Sequence, residues 1–275
     1  MPRPLWKGAI SFGMVSIPVK LYSATEEKDV RFNMLHADDM ARIRQKRFCS
    51  EEDVEVDNED IVKGYEISKD HYVVMEEEDF EKVPVNTTHT IDIEAFVSLD
   101  EIDPVLYQKT YYLEPDEIGL KPFALLMRAL EDTNRVAIAK VTLRQKEQLC
   151  SLRIYNNTIA LETMFYHDEV RSTGELAVPG EDVKINDREL AMAKSIVDML
   201  TGDFDYDQYK DNYREALLEI IRMKAEGQTI EAPAPAAAKI TDLTEALRAS
   251  VEEIRRRKGA EPEEAASHSR RAKSA

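Results

Sequence analysis

The hydrophobic pattern of this chain changes period near residue 187, and that change limits the fold more than any single motif does. Before it, apolar residues run in short stretches rich in β-branched and aromatic side chains, which favour pleated structure. AISFGMVSIPVKLY (9–22) reads as strand, with Gly13 and Pro18 as bulge or edge positions. HYVVM (71–75), TIDIEAFV (90–97), TYYLEP (110–115) and TIALETMFY (158–166) read likewise. VAIAKVTLR (136–144) and QLCSLRIY (148–155) flank the short turn QKE, which predicts a hairpin, and Asn156-Asn157 marks the turn after it. One helix interrupts them: KPFALLMRALED (121–132), with Pro122 in its first turn and Phe123, Leu126 and Leu130 at helical spacing.

After residue 187 the period is helical. Leu190, Ala193, Ile196, Val197 and Leu200 form one stripe, stopped by Gly202. A second helix is expected from near Asp205 to Gly227, with Tyr206, Tyr209, Tyr213, Leu217, Ile220 and Ile221 as its stripe. Core packing is the ordinary reading of both stripes. The fold class is therefore α+β, mainly β, in a chain whose 275 residues suit one or two domains. The expected organisation is a core over 1–230, an Ala/Pro linker over 231–240, a short helix over 241–258 and a low-complexity, disordered tail over 259–275. The helix is signalled by Asp242 and Glu245 at capping-box spacing and by Gly259 as a stop.

Charge is sorted along this sequence. The chain carries 37 basic and 54 acidic residues, a net charge of −17. Yet ARIRQKRFC (41–49) holds Arg42, Arg44, Lys46 and Arg47 with no acid, and residues 135–146 hold Arg135, Lys140, Arg144 and Lys146 with none. Arg3, Lys7 and Lys20 are the only charges among residues 1–25, whereas residues 51–60 carry seven acids and no base. Read as a strand, 42–47 sets Arg42, Arg44 and Lys46 on one face about 6.6 Å apart. Phosphates on one DNA strand rise about 3.4 Å each, so such a ladder suits a duplex backbone. By the same parity Lys140, Arg144 and Lys146 share a face. The runs are either solvated faces or surfaces that meet something negative. Base reading is not implied, because no helix-turn-helix or zinc finger is visible.

Catalytic and metal signatures are sparse. GAISFG lacks the Gly-Lys-Ser/Thr of a phosphate loop, no G-x-S-x-G or H-E-x-x-H occurs, and the five histidines show no ligand spacing. Cys49 and Cys150 make no disulfide framework or C-x-x-C, which suits a reducing compartment. No apolar run reaches the roughly 20 residues of a membrane span, and the N-terminus is too broken for a secretory signal, so cytoplasm is the expected address. Two rival readings stay open: a metal-dependent nuclease built on the acids at 51–60, and an acidic interaction protein that binds a basic partner.

Six blocks, WKGAISFGMVSIPVKLYSAT (6–25), RIRQKRFC (42–49), IVKGYE (61–66), YYLEPDE (111–117), RVAIAK (135–140) and HDEVR (167–171), precede TGDFDYDQYKDNYREALLEII (201–221). In this order they resemble bacterial Ku over about residues 5–227. The resemblance implies a homodimer in which each chain gives a β-barrel and a long β-arm. The arms cross into a ring that threads onto a DNA end. It implies a DNA-facing surface drawn from Lys7, Lys20, Arg31, Arg42, Arg44, Lys46, Arg47, Arg135, Lys140, Arg144 and Lys146. It also implies no catalysis, no cofactor, no metal and no membrane. The function implied is protection and bridging of double-strand ends, with recruitment of a multifunctional ATP-dependent DNA ligase through the region of Tyr209, Tyr213, Arg214 and Lys224. On DNA such a protein would be found with the nucleoid.

Overall fold

A computed structural model describes residues 3–83, 89–144, 146–180, 183–228 and 243–256. The chain divides into two compact units, Met1–Thr173 and Gly174–Ala275. The expected linker at 231–240 and tail at 259–275 lie outside the described residues.

The first unit is built on a closed seven-stranded barrel. Its strands are β1 (Trp6–Phe12), β2 (Val15–Ser23), β5 (Thr90–Val97), β6 (Tyr107–Pro115), β7 (Val136–Leu143), β8 (Lys146–Tyr155) and β9 (Thr158–Met164). Around the barrel they run β1-β2-β6-β9-β8-β7-β5, and a parallel pairing of β1 with β5, Ile10 beside Ile91, closes it. The run expected as one strand over 9–22 is a hairpin, because Gly13 takes φ +61 at its turn, a conformation open to glycine. Pro18 sits inside β2 without losing a bond to β1. The amide of its partner Ala9 turns the other way, to the His89 carbonyl at 3.0 Å, so Ala9 and Pro18 are a non-hydrogen-bonded pair.

Alternation then decides which side chains point inward. Ile10, Ile17, Leu21, Ile91, Leu113, Leu152, Ile159 and Leu161 are fully buried in the lumen. Helix α2 (Leu120–Thr133) adds Phe123, Leu126 and Leu130 to the same core, one side chain per turn as its spacing predicts. Each fully buried residue of this size contributes about 1.5–3 kcal/mol, so the lumen carries most of the unit's stability. Asn134 ends the helix in the left-handed conformation (φ 49), and the Arg135 amide returns to the Leu130 carbonyl at 3.1 Å. Outside the barrel, Ile102, Leu106 and Tyr107 cover Val136, Ile138, Leu149 and Met164.

Between β2 and β5 the chain makes a long excursion. It contains the hairpin β3 (Lys63–Ser68) and β4 (His71–Met75), then the short helix α1 (Glu77–Glu81). β3 is a strand that the sequence reading did not mark. None of the described residues from 24 to 83 is buried.

In the second unit, α3 (Asp187–Leu200) and α4 (Asn212–Ala225) are amphipathic, and residues 243–256 form α5. Asn186 caps α3 and Asp211 caps α4, each side chain accepting from a backbone amide. The expected start of the second helix near Asp205 is corrected. Asp205 accepts from the Asp207 amide and closes a single 3-10 turn at Tyr206–Gln208, so Tyr206 and Tyr209 precede α4. Neither α3 nor α4 buries a residue, so among the described residues the stripes do not pack into a core.

Candidate nucleic-acid interface

The basic run 42–47 is not a strand in the protomer. It is bridged only at its ends, Leu35 with Arg42 and Phe48 with Glu55. A turn on either side forms each bridge: Ile43 bonds back to the Met34 carbonyl at 3.0 Å, and Cys49 to that of Val54 at 2.9 Å. A single stretch held at two points has no neighbour to supply a ladder, which is why propensity alone did not produce a strand.

The four bases of this run differ. Lys46 lies 2.5 Å from Glu55, a carboxylate of the acidic turn. Arg47 keeps its charge and donates only to the neutral side-chain oxygen of Asn58, at 2.7 Å. Arg42 and Arg44 form no ion pair among the described residues and are exposed. Arg31 is exposed on the same excursion. The acids at 51–60 therefore partly neutralise the run beside them, and among the described residues no three His, Cys, Asp or Glu side chains converge to hold a metal ion.

The apolar side chains of the excursion are as open as the charged ones. Phe32, Phe48, Val62, Tyr65, Ile67 and Tyr72 are 58–69% exposed. So large a run of exposed apolar surface marks an interaction site.

On the barrel, Lys7 and Lys20 stand opposite one another on the outer face of β1 and β2. Lys20 meets Asp116 at 2.8 Å, and this hydrogen bond raises its pKa. Arg135 lies at the start of β7, 2.5 Å from Ser98 Oγ and 3.8 Å from Glu101. Lys140 points outward between Glu94 (3.4 Å) and Glu147 (3.8 Å), and its hydrogen bond to Glu94 raises its pKa.

The expectation that Lys140, Arg144 and Lys146 share a face is corrected. The turn spans two residues, with Leu143 paired to Lys146, rather than the three of QKE. Arg144 enters the turn at φ 51 and breaks the alternation. Arg144 and Lys146 then line one open end of the barrel, together with Trp6, Lys109, Tyr111 and Gln148, around a cavity of about 480 Å³. Lys146 is 3.5 Å from Glu169 there, while Arg144 has no ion pair among the described residues. Lys109 and Trp6 were not singled out in the sequence. Their strand parity relative to Tyr111 and Ile10 is the signal that assigns them to the lumen.

Arg153 was also overlooked, and it proves structural. Its guanidinium grips Glu162 at 3.0 and 2.6 Å on the outer face and lies 5.3 Å over the Tyr155 ring, which stacks on Tyr112. In the second unit, Tyr209 and Tyr213 are exposed, and Phe204 packs its ring against Tyr206 and Tyr209. The Arg214 amide is held by Asp211, and Lys224 occupies the last turn of α4. No helix among the described residues is long and apolar enough to cross a membrane.

A closed seven-stranded barrel with a long excursion between two of its strands, exposed among the described residues and bearing both apolar and basic side chains, defines the class of fold. Comparison gives the family. A profile of the Ku70/Ku80 beta-barrel domain matches residues 11–192. The non-homologous end joining protein Ku of Anaeromyxobacter sp. (strain K) is 47% identical over 260 residues, 94% of this chain and 88% of that one. The protein of the same name from Heliobacterium modesticaldum is 45% identical over 255 residues, 92% of each chain. That of Symbiobacterium thermophilum is 46% identical over 252 residues, 90% of this chain, but the chain spans only 62% of that longer relative. The chain belongs to the Ku family.

Proposed function

We infer that the chain acts without catalysis, as a homodimer that binds, protects and bridges double-stranded DNA ends irrespective of sequence in non-homologous end joining. The observation that carries this reading is the excursion between β2 and β5, where exposed apolar residues such as Phe32, Tyr65 and Tyr72 stand on the same segment as the unpaired Arg42 and Arg44. A second copy offers the apolar cover, and a phosphate backbone offers the countercharge. The names of the relatives, non-homologous end joining protein Ku, support the same assignment. The overall charge of −17 fits as well: a protein that concentrates its unpaired bases on one inward surface keeps its outer surface acidic and avoids loose binding.

In this reading Lys7, Lys20, Arg31, Arg42, Arg44, Lys46, Arg47, Arg135, Lys140, Arg144 and Lys146 supply the positive surface. Among them Lys20, Lys46, Arg135, Lys140 and Lys146 must exchange an existing ion pair for a phosphate, whereas Arg42 and Arg44 need not. Recruitment of an ATP-dependent DNA ligase is assigned to the exposed aromatic turn and α4, around Tyr209, Tyr213, Arg214 and Lys224. The test is duplex binding by gel retardation across a salt series. Bound cations release counterions, so affinity is expected to fall steeply with salt. Affinity independent of salt would exclude the phosphate-facing surface.

A further inference from the structure

The cavity at the open end of the barrel is chemically unlike the rest of this acidic chain. Its walls carry Lys109, Arg144 and Lys146 and no carboxylate. Trp6 and Tyr111 form an aromatic side, and Gln108 and Gln148 present amides. The strand ends explain the convergence. Trp6 opens β1, Lys109 and Tyr111 lie in the first half of β6, Lys146 opens β8, and alternation turns Trp6, Tyr111 and Gln148 inward.

Several of these groups lack partners. Arg144 and Lys109 make no ion pair among the described residues, and Lys109 lies 5.7 Å over the Tyr111 ring. Trp6 Nε1 is buried, and among the described residues it has no hydrogen-bond acceptor. Buried donors are ordinarily paired, so this indole N–H, beside the cavity, is an exception. The Tyr111 hydroxyl has its pKa raised by burial, and the charge of Arg144 opposes that shift, which puts the guanidinium close to the phenol.

We propose that this barrel mouth binds a phosphorylated nucleoside, the phosphate on Arg144 and Lys109 and the base against Trp6 and Tyr111. The volume of about 480 Å³ is within the range of small-ligand pockets, and barrel mouths are a recurrent place for them. Two cations without acid neighbours select an anion, and aromatic walls select a flat ring. Amides at Gln108 and Gln148 offer both donors and acceptors to a base edge. The nucleotide is either free or the unpaired terminal residue of a DNA strand. The first source is independent of the proposed function, and the second rests on it.

Trp6 is the chain's single tryptophan, so its fluorescence reports the cavity directly. The full chain is titrated with 5′-dAMP, with deoxyadenosine and with inorganic phosphate. Saturable quenching by 5′-dAMP is expected, with deoxyadenosine and phosphate each at least about tenfold weaker because a charged hydrogen bond or the stacking surface is lost. Arg144→Gln and Lys109→Gln are each expected to weaken 5′-dAMP about tenfold or more. Thr163→Val, a smaller change at the cavity wall, serves as the folded reference, judged by its unliganded Trp6 emission. A duplex with a 5′-phosphorylated overhang and the same duplex with blunt ends separate the sources. Quenching by 5′-dAMP establishes the free nucleotide, and quenching by the overhang but not the blunt duplex establishes the terminal one. The proposal is overturned if neither quenches, if phosphate alone equals 5′-dAMP, or if the blunt duplex quenches as much as the overhang while 5′-dAMP does not. It also fails if the two glutamine variants bind 5′-dAMP as the unmodified chain does. Duplex retardation in the same samples reports the proposed function separately.

Discussion

Neutralising Arg42 and Arg44 together should flatten the salt dependence of DNA binding by a calculable amount. Both guanidiniums are exposed and neither is held by a carboxylate, so each is free to displace a counterion from a phosphate. Every phosphate neutralised on B-DNA contributes about −0.9 to the slope of log affinity against log salt. Two arginines in each of two protomers make four contacts, or a slope smaller by about 3.6 in Arg42→Gln with Arg44→Gln. Over a fourfold rise in salt, from about 50 to about 200 mM, the unmodified protein should lose roughly 150-fold more affinity than the variant. Lys63→Gln is the comparison, since Lys63 already meets Glu77 at 3.3 Å and lies 4.7 Å over the Phe80 ring. Its slope should match that of the unmodified protein. The assay is gel retardation of one short duplex at five salt concentrations, with sedimentation to confirm the dimer. A slope reduced by less than about one unit, the worth of a single phosphate, refutes the reasoning. So does loss of the dimer, which would make the two arginines structural.

Three further outcomes follow from other parts of the molecule. Glu162→Ala removes a carboxylate only 8% exposed and leaves the Arg153 charge without its partner, and should cost about 3 kcal/mol in urea unfolding, the lower end for a broken buried pair because Arg153 keeps some solvent access; a loss under about 1 kcal/mol would contradict the buried-pair account. Burial pushes the Cys150 thiol pKa up, so the unfolded chain deprotonates first as pH rises; stability should decline above about pH 8.5, and Cys150→Ala should remove that part of the decline. Native-state thiol titration should modify Cys49 alone, since backbone amides of Glu52 and Glu51 hold its pKa below the ordinary thiol value while Cys150 is fully buried; equal rates at both would be inconsistent with the fold.

The strands of the barrel were legible in the sequence because their runs are rich in β-branched and aromatic side chains, while their closure into a barrel came from the resemblance. VAIAKVTLR buries Ala137, Ala139 and Val141 at a two-residue period, TIALETMFY is buried on both faces from Ile159 to Met164, and α2 buries Phe123, Leu126 and Leu130 at helical spacing. Reading failed where the determinants are not local. The run 42–47 reads as a strand for the charge it would align, but it has no neighbouring strand among the described residues to pair with, so only its ends are bridged. β3 begins with Lys63-Gly64 and alternates weakly, and its pairing with β4 was invisible without the turn geometry. The parity argument for Lys140, Arg144 and Lys146 failed at one residue: φ 51 at Arg144 resets the alternation. The tyrosines before α4 kept helical spacing while Asp205 and Asp211 each capped a separate turn, a competition between local side-chain caps and a continuous helix.

The central claim is that DNA enters through an end. The direct measurement is competition for binding between one plasmid as a closed circle and the same plasmid made linear, at a single salt concentration and equal mass. The account predicts that the linear form competes strongly and the closed circle hardly at all. Equal competition by the two forms would contradict it, and would reduce Arg42, Arg44 and their neighbours to an open phosphate-binding face.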